Sequence, residues 1–359
     1  MKISSILISK ILKHSVKYAL FVILLFVTGT AFCGDKAENN SEKAYDPKDA
    51  IFEHIDDSHS WHILGKTSIP LPVILYTSDG FEIFMSDKLH EGEIYKGKNA
   101  SYLLEKDKVK VVDNSGKIDA SKKLFDFSIT RNVASMWMAM IFLIIIFGSV
   151  SSAYKKRSGK APRGLQSFLE PLIIFVRDDV AIPNIGKNYG KYMSLLLTFF
   201  FFILINNLLG LVPFFPGGYN LTGNIAVTLS LAFIVLIVIN FSGNKYYWKH
   251  IFLPEIPLWL YIIMIPVELI GIISKPFALM IRLFANISAG HIVVLSLVSL
   301  IFIFKSLAVS PASVVFVVFM DTIELLVAFL QAYIFTMLTA LFIGMAVHEH
   351  EHHHHEQTI

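Results

Sequence analysis

Residues 192–244 read YMSLLLTFFFFILINNLLGLVPFFPGGYNLTGNIAVTLSLAFIVLIVINFSGN and contain no Asp, Glu, Lys or Arg. A helix of about 20 apolar residues is enough to cross a bilayer, so this stretch is too long for a single span. Pro213, Pro216, Gly217 and Gly218 lie near its middle, where such residues end helices. The stretch therefore predicts two membrane helices joined by a turn.

The rest of the composition agrees with a membrane protein. Hydrophobic residues make up 54% of the 359-residue chain and charged residues 16%, with a mean hydropathy of +0.60. An average soluble domain has about 25% charged residues, so the composition argues against an ordinary soluble enzyme. A single Cys excludes an intramolecular disulfide framework, and a net charge of +3 gives no reason to expect a nucleic-acid partner.

More than half of the charged residues lie between positions 34 and 130. We therefore predict a polar module over 34–130 and a membrane domain over 131–347. Residues 1–33, with four lysines before a short apolar core, predict a signal peptide, and an uncleaved anchor is the alternative. A signal peptide would place the module outside the cytoplasmic membrane. Short apolar runs at 109–113 and 124–130 predict strands, so we expect a small β-rich or α/β module.

The first membrane helix is predicted over residues 134–154. Five basic residues and no acid follow it, which places this loop in the cytoplasm by the positive-inside rule: Lys155, Lys156, Arg157, Lys160 and Arg163. Residues 165–180 mix apolar and charged positions. That pattern predicts a helix that lies on the membrane surface.

The last two helices are unusually long. Residues 276–304 and 312–347 would extend about 43 and 54 Å at 1.5 Å per residue, whereas the hydrocarbon core is only about 30 Å thick. We therefore expect both helices to be strongly tilted. Altogether the chain predicts an all-α polytopic membrane domain with about five embedded helices plus a surface helix.

Arg282 is the only charged residue between positions 276 and 304. An Arg at bilayer depth costs about 2.5–3.5 kcal/mol on insertion scales, and it stays protonated. Such a side chain requires a carboxylate, water or carbonyl groups opposite it. The alternative is an internal ion pair that merely fixes helix packing.

Helical phase sorts the neighbours of Arg282. Glu268 and Lys275 precede it by 14 and 7 residues, which places them on nearly the same face of an unbroken helix. Asn286 follows one turn later. His291 lies on the opposite side, so we expect it to line a separate path.

The last helix carries a matching polar stripe formed by Asp321, Glu324 and Gln331. His291 can pair with Glu324 across the helix interface, and an imidazole is suited to proton relay. The alternative is polar contacts that only hold helices together. With a lone Arg nearby, the combination favours a proton path.

Several segments together resemble subunit a of the F-type ATP synthase over residues 131–348. They are Asn207–Pro213, Ser274–Pro276, Arg282–Asn286, Ala289–His291 and Leu330–Phe335. The resemblance implies a non-catalytic, proton-translocating stator subunit of the bacterial inner membrane. It implies the subunit c ring, the subunit b peripheral stalk, the rest of the complex and the lipid bilayer as partners, without a cofactor or metal.

The resemblance also implies roles for individual residues. Arg282 would face the carboxylates of the c ring, and Glu268 would belong to the cytoplasmic half-channel. The outer half-channel would be lined by Asn286, His291, Glu324 and Gln331. Apart from the resemblance, Asp321 and Lys275 are secondary candidates for proton translocation. Many bacterial relatives have Glu and His at the positions of His291 and Glu324, so this chain exchanges the two types. The module over 34–130 is not part of the common family pattern.

Two other functions fit parts of the pattern. A secondary cation/proton antiporter also needs acids and bases within the membrane, but such transporters usually show internal repeats, and we find none. A non-transporting membrane scaffold would not need Arg282 opposite a polar stripe.

Two His-rich segments lie at the polar ends. Residues 348–359 predict a solvated cytoplasmic tail, with low-specificity metal binding as the alternative. A second cluster favours an interfacial segment anchored by Trp61 over a metal site, since its spacing matches no known zinc pattern. It consists of His54, Asp56, Asp57, His59, Trp61 and His62.

Overall fold

The computed structural model describes residues 57–347 apart from short segments at 65–66, 79, 91, 106–107, 114–117, 120–122, 157–160, 213–216, 220, 254–255 and 305–309. The predicted signal peptide and the His-rich tail lie outside the described residues. The described part of the N-terminal module contains eight strands. They are β1 (Ser60–Leu64), β2 (Thr67–Pro70), β3 (Pro72–Thr77), β4 (Gly80–Met85), β5 (Ile94–Lys96), β6 (Ser101–Glu105), β7 (Lys108–Val112) and β8 (Phe125–Asp126).

The strands form three small antiparallel sheets, in the orders β1-β2, β4-β3-β8 and β5-β6-β7. Alternating side chains of β3 and β7 point inwards, and Val73, Leu75 and Val111 are buried together with Tyr102. The expectation of a β-rich module is therefore confirmed. The predicted strand at 109–113 corresponds to β7, whereas the one at 124–130 is regular only over the two residues of β8.

The remainder of the described chain is helical. Its helices are α1 (Arg131–Lys156), α2 (Leu165–Phe175), α3 (Ile182–Ile185), α4 (Tyr189–Gly210), α5 (Ile225–Ser242), α6 (Lys245–Phe252), α7 (Tyr261–Phe304) and α8 (Ser310–Val347). Five segments of the described chain are long and apolar enough to cross a membrane: Arg131–Lys156, Leu165–Gly210, Ile225–Ser242, Tyr261–Leu300 and Pro311–Val347. This confirms the predicted polytopic fold, and α4 and α5 confirm the predicted hairpin.

One predicted helix start is wrong. The sequence placed the start at residue 276, but α7 begins at Tyr261 and contains both Pro266 and Pro276. Proline removes one backbone hydrogen bond and usually ends a helix in water. Membrane helices tolerate proline because neighbouring helices and side chains satisfy the freed carbonyl groups. At 44 residues, α7 extends about 66 Å.

The segment predicted to lie on the membrane surface is part of a longer helical stretch. After α2, a π-helical turn at Val176–Ala181 leads into α3 and then α4. Val176 and Val180 are fully buried in the helical core. One face of this stretch is therefore packed against the protein.

Small side chains on α8 let the helices pack closely. Ala332, Ala340 and Ala346 are fully buried, and Phe335 meets Phe199 of α4 edge-to-face with 5.5 Å between ring centroids. Without water to drive association, membrane helices depend on such close packing. The result brings α4, α7 and α8 together, and the polar residues of all three meet between them.

Candidate functional site

A cavity of about 220 Å³ lies between α4, α7 and α8. Its polar lining consists of Asn207, Asn286, His291 and Glu324. The remaining wall is mostly apolar, including Leu211, Val293 and Met320. A space of this size with several polar partners can hold ordered water, which a purely apolar cavity would exclude.

Glu324 is the acidic group of this cavity. Its Oε1 atom is buried and has no hydrogen-bond partner in the described part of the chain. The side chain lies directly against the backbone of Gly290, where an added Cβ would collide with the carboxylate. Buried polar atoms without a protein partner are rare, and an ordered water can satisfy them. Glu324 is thus placed to take part in proton exchange.

His291 lines the same cavity from α7. Among the described residues no direct hydrogen bond joins it to Glu324. The predicted pairing therefore takes the form of two groups that face one cavity. A bridging water would be needed to link them.

Asn286 and Gln331 form the direct polar contact between α7 and α8. Asn286 Nδ2 donates a hydrogen bond of 2.9 Å to Gln331 Oε1. Gln331 is only 2% exposed, so its amide is held inside the helix pair. Asn286 also lines the cavity, and it follows Arg282 by one turn.

The side chain of Arg282 is exposed. Within the described residues, no carboxylate forms an ion pair with its guanidinium, so the internal ion pair considered above is not formed there. Apolar neighbours on α7 share its exposure, with Phe277 at 55% and Ile281 at 41%. A permanent cation on such a surface is costly in lipid unless water, carbonyl groups or an opposite charge lie against it.

The other sequence candidates lie around this centre. Glu268 is half-buried near Tyr247 of α6; burial, with the negative charge of Glu268 adding to it, raises the pKa of Tyr247. Lys275 Nζ lies 5.8 Å above the ring of Phe342. Asp321 is partly buried on α8, three residues before Glu324. Glu268 and Lys275 therefore lie apart from the cavity, towards the start of α7.

Sequence reasoning missed the contribution of the loop between α4 and α5. Thr222 Oγ1 donates a 2.7 Å hydrogen bond to Asn207 Oδ1, and Asn207 Nδ2 donates one of 3.3 Å to the carbonyl oxygen of Ala328. The neighbouring Asn206 accepts a 3.4 Å hydrogen bond from the hydroxyl of Tyr219. Two adjacent Asn residues within an apolar helix were the available signal.

The N-terminal cluster does not form the predicted interfacial anchor. Trp61 is 5% exposed and packs edge-to-face on Tyr219, so it does not face lipid. His59 Nε2 lies 3.0 Å from Asp126 Oδ2. Burial alone would raise the pKa of Asp126, but hydrogen bonds from His59 and Ser128 outweigh it and lower that pKa. His54 and Asp56 lie outside the described residues.

Comparison with known proteins adds family matches to this geometry. Residues 133–344 match the family model described as ATP synthase A chain. Residues 50–127 match a domain of unknown function (DUF8433).

Relatives match more than half of the chain. ATP synthase subunit a of Chloroherpeton thalassium is 50% identical over 232 residues, which are 63% of this chain and 68% of that protein. ATP synthase subunit a 2 of Chlorobaculum tepidum is 49% identical over 230 residues, 62% of this chain and 64% of the relative. ATP synthase subunit a of Myxococcus xanthus is 45% identical over 232 residues, 62% of this chain and 74% of the relative.

Proposed function

The chain belongs to the ATP synthase A chain family, and from this premise we propose that its cavity carries protons across a bacterial membrane while Arg282 prevents their direct passage. Members of this family are non-catalytic, proton-translocating stator subunits, so ATP chemistry takes place on other subunits. The match gives no support to a secondary antiporter. The observation that carries the proposal is the cavity lined by Asn286, His291 and Glu324. Of these residues, Asn286 follows the exposed Arg282 by one helical turn.

We propose that protons enter this cavity from the outer side. His291 and Glu324 exchange protons through cavity water, because both face the same space and Oε1 of Glu324 has no protein partner. The amides of Asn286 and Gln331 lie next along α7 and α8. They guide the proton to a carboxylate on a subunit c ring that passes the exposed face of α7.

Arg282 separates the two half-channels in this proposal. Its permanent charge favours an ionised carboxylate on the passing ring and repels protons that would otherwise cross directly. Once protonated, the carboxyl group is neutral and can turn into lipid at lower cost. The membrane potential contributes about 2.3 kcal/mol per charge for each 100 mV.

The inner half-channel is assigned to Glu268. After nearly a full rotation, the neutral ring carboxyl meets this region and releases its proton. Glu268 is half-buried beside α6, and Lys275 lies on the same stretch of α7. Both precede Pro276 and so lie apart from the outer cavity along the helix.

The orientation and the partners belong to the same proposal. Lys155 and Lys156 end α1, and Lys245 and Lys249 lie on α6, so the positive-inside rule puts these ends in the cytoplasm. The N-terminal module is then outside and the His-rich tail inside. Exposed apolar side chains on α7 and α8 suit contact with lipid and the c ring, and subunit b is the expected stalk partner.

Cysteine crosslinking in the assembled complex tests the assignment. Phe277→Cys and Ile281→Cys, on the exposed surface beside Arg282, should each crosslink to a cysteine in the outer helix of subunit c. Leu283→Cys is the matched control, because Leu283 is 0% exposed and faces the protein interior. Crosslinks from Leu283→Cys alone would contradict the proposal.

Proton-driven ATP synthesis gives the functional test. Arg282→Ala should abolish coupled synthesis, because the cation that separates the half-channels is lost. His291→Ala should reduce proton flux, and exchanging His291 and Glu324 should restore part of it. Normal synthesis in the Arg282→Ala complex would refute the mechanism.

A further inference from the structure

The segment just before β1 is attached to the start of α1. The backbone N–H of Arg131 donates a 2.9 Å hydrogen bond to the carbonyl oxygen of Ser58. The N–H of Asn132 donates one of 3.1 Å to Asp57 Oδ1. The first N–H groups of a helix have no partner within the helix, and a carboxylate there is favourable. The module therefore caps the first membrane helix.

Trp61 extends this attachment to the hairpin loop between α4 and α5. Its ring meets Tyr219 edge-to-face with 6.1 Å between centroids, and the two residues are 5% and 1% exposed. Leu221 completes this buried cluster, against partly buried side chains of α1, α4 and α5. Tyr219 also donates its hydroxyl to Asn206 of α4, and burial raises the pKa of that hydroxyl, so it stays a donor.

The same loop supports the wall of the cavity. Thr222 is 2% exposed and donates to Asn207, whose amide lines the cavity and bonds α8. Ser288 of α7 donates a 3.4 Å hydrogen bond to the carbonyl oxygen of Gly223. The loop also lies close to α4, because a Cβ on Gly210 would come within 2.9 Å of the carbonyl oxygen of Tyr219.

These contacts form a continuous chain from the module to the proton cavity. We propose that the module, which matches a family without an assigned function, holds Tyr219 and the loop residues 221–223 in place and thereby fixes Asn207 at the wall of the outer half-channel. Trp61, Tyr219 and Thr222 are positioning residues for proton entry. The inference rests on the proposed function of the cavity, but it assigns a role to a different part of the chain.

The test uses the intact ATP synthase complex in liposomes, with ATP synthesis driven by an imposed proton gradient and expressed per assembled complex. Trp61→Ala should lower this rate by roughly tenfold, as displaced positioning groups do. Trp61→Phe keeps an aromatic ring against Tyr219 and should restore most of the rate. Phe81→Ala is the matched control, since Phe81 lies in the same module at 57% exposure.

Amide hydrogen exchange measures the loop directly. In Trp61→Ala, exchange should rise at Tyr219 and at the residues 221–223 that follow it, whereas Phe81→Ala should leave it unchanged. A wild-type synthesis rate together with faster loop exchange would overturn the inference. A wild-type rate per assembled complex, with fewer complexes assembled, would overturn it as well, since it would show a role in folding or assembly alone.

Thr222 provides a second route if Trp61→Ala does not assemble. Thr222→Val removes the hydroxyl that donates to Asn207 and should lower the rate, whereas Thr222→Ser keeps the donor and should restore it. Equal rates for the two variants would overturn the inference. Glu324→Gln in the same liposomes distinguishes failure of this inference from failure of the proposed function. Normal synthesis in Glu324→Gln would refute the proposed function of the cavity itself.

Discussion

Replacing Gly290 by Ala should move the carboxylate of Glu324 while leaving the fold intact. Gly290 lies in the middle of α7, and Glu324 faces it from α8. A Cβ at this position would collide with Oε1 of Glu324 and lie 3.0 Å from its Cδ and 3.2 Å from its Cγ. The obstructing atoms are the end of a flexible side chain, so that side chain can withdraw.

The size of the effect follows from these contacts. Carbon atoms pack favourably at about 3.5–4.0 Å, so the carboxyl group must retreat by at least roughly half an ångström. A displacement of about 1 Å can cost up to 100-fold in rate. We expect a loss of about tenfold or more, equivalent to about 1.4 kcal/mol in activation free energy.

Proton-driven ATP synthesis per assembled complex is the assay. Gly271→Ala is the control, because Gly271 lies in the same helix and a Cβ there would meet nothing within 4 Å. Ala favours a helix over Gly by about 0.8–1.0 kcal/mol, so this variant should assemble and work normally.

A double variant sharpens the test. Glu324→Asp shortens the side chain and makes room for the Cβ at position 290, so the two changes combined should cost less than the sum of their separate effects. Wild-type synthesis in Gly290→Ala would refute the reasoning. It would mean that the position of the Glu324 carboxylate does not limit proton transfer.

Two further predictions concern stability. A Cβ at Gly344 would collide with the backbone carbonyl of Asn184, which cannot rotate away. Gly344→Ala should therefore lower the free energy of unfolding by about 1–3 kcal/mol, measured by thermal unfolding. Gly148→Ala is the control and should leave stability unchanged, because a Cβ there would have open space around it. The lowered pKa of Asp126 means that its carboxylate stabilises the module above its ordinary pKa near 3.9, and this stability is lost as pH falls through the lower folded value. Asp126→Asn should remove this acid-dependent step in amide exchange of β3, and an unchanged acid profile would contradict the role of the pairing with His59.

The membrane fold was largely predictable from the sequence because the bilayer imposes simple rules. The absence of charge over 192–244 was enough to predict the α4–α5 hairpin, since a polar backbone in lipid must form helices. The start of α7 was not predictable from the same rules. Proline usually ends a helix in water, but within a packed membrane domain its missing hydrogen bond is tolerated. The helix α7 therefore continues through Pro276 and begins 15 residues earlier.

Some contacts within the site were likewise predictable from the sequence, and others were not. Asn286 and Gln331 could be proposed as site residues from their motifs and helical phase, and a hydrogen bond joins their side chains. The approach of Gly290 to Glu324 depends on the distance between two helices, which no local pattern encodes. The bond from Thr222 to Asn207 depends on a loop that folds back onto α4, so sequence spacing could not reveal it.

In the proposed mechanism, α7 serves both the cavity and a surface that faces the c ring. His291 faces the cavity, whereas Arg282 is exposed on the opposite face of α7, about 180° away around the helix axis. Asn286 belongs to both regions, since it lines the cavity, bonds to Gln331 and follows Arg282 by one turn. On the proposed path, a proton that leaves the cavity for the exposed face meets the hydrogen-bonded amides of Asn286 and Gln331 first. A change in the distance between α7 and α8 should therefore affect proton transfer at this contact.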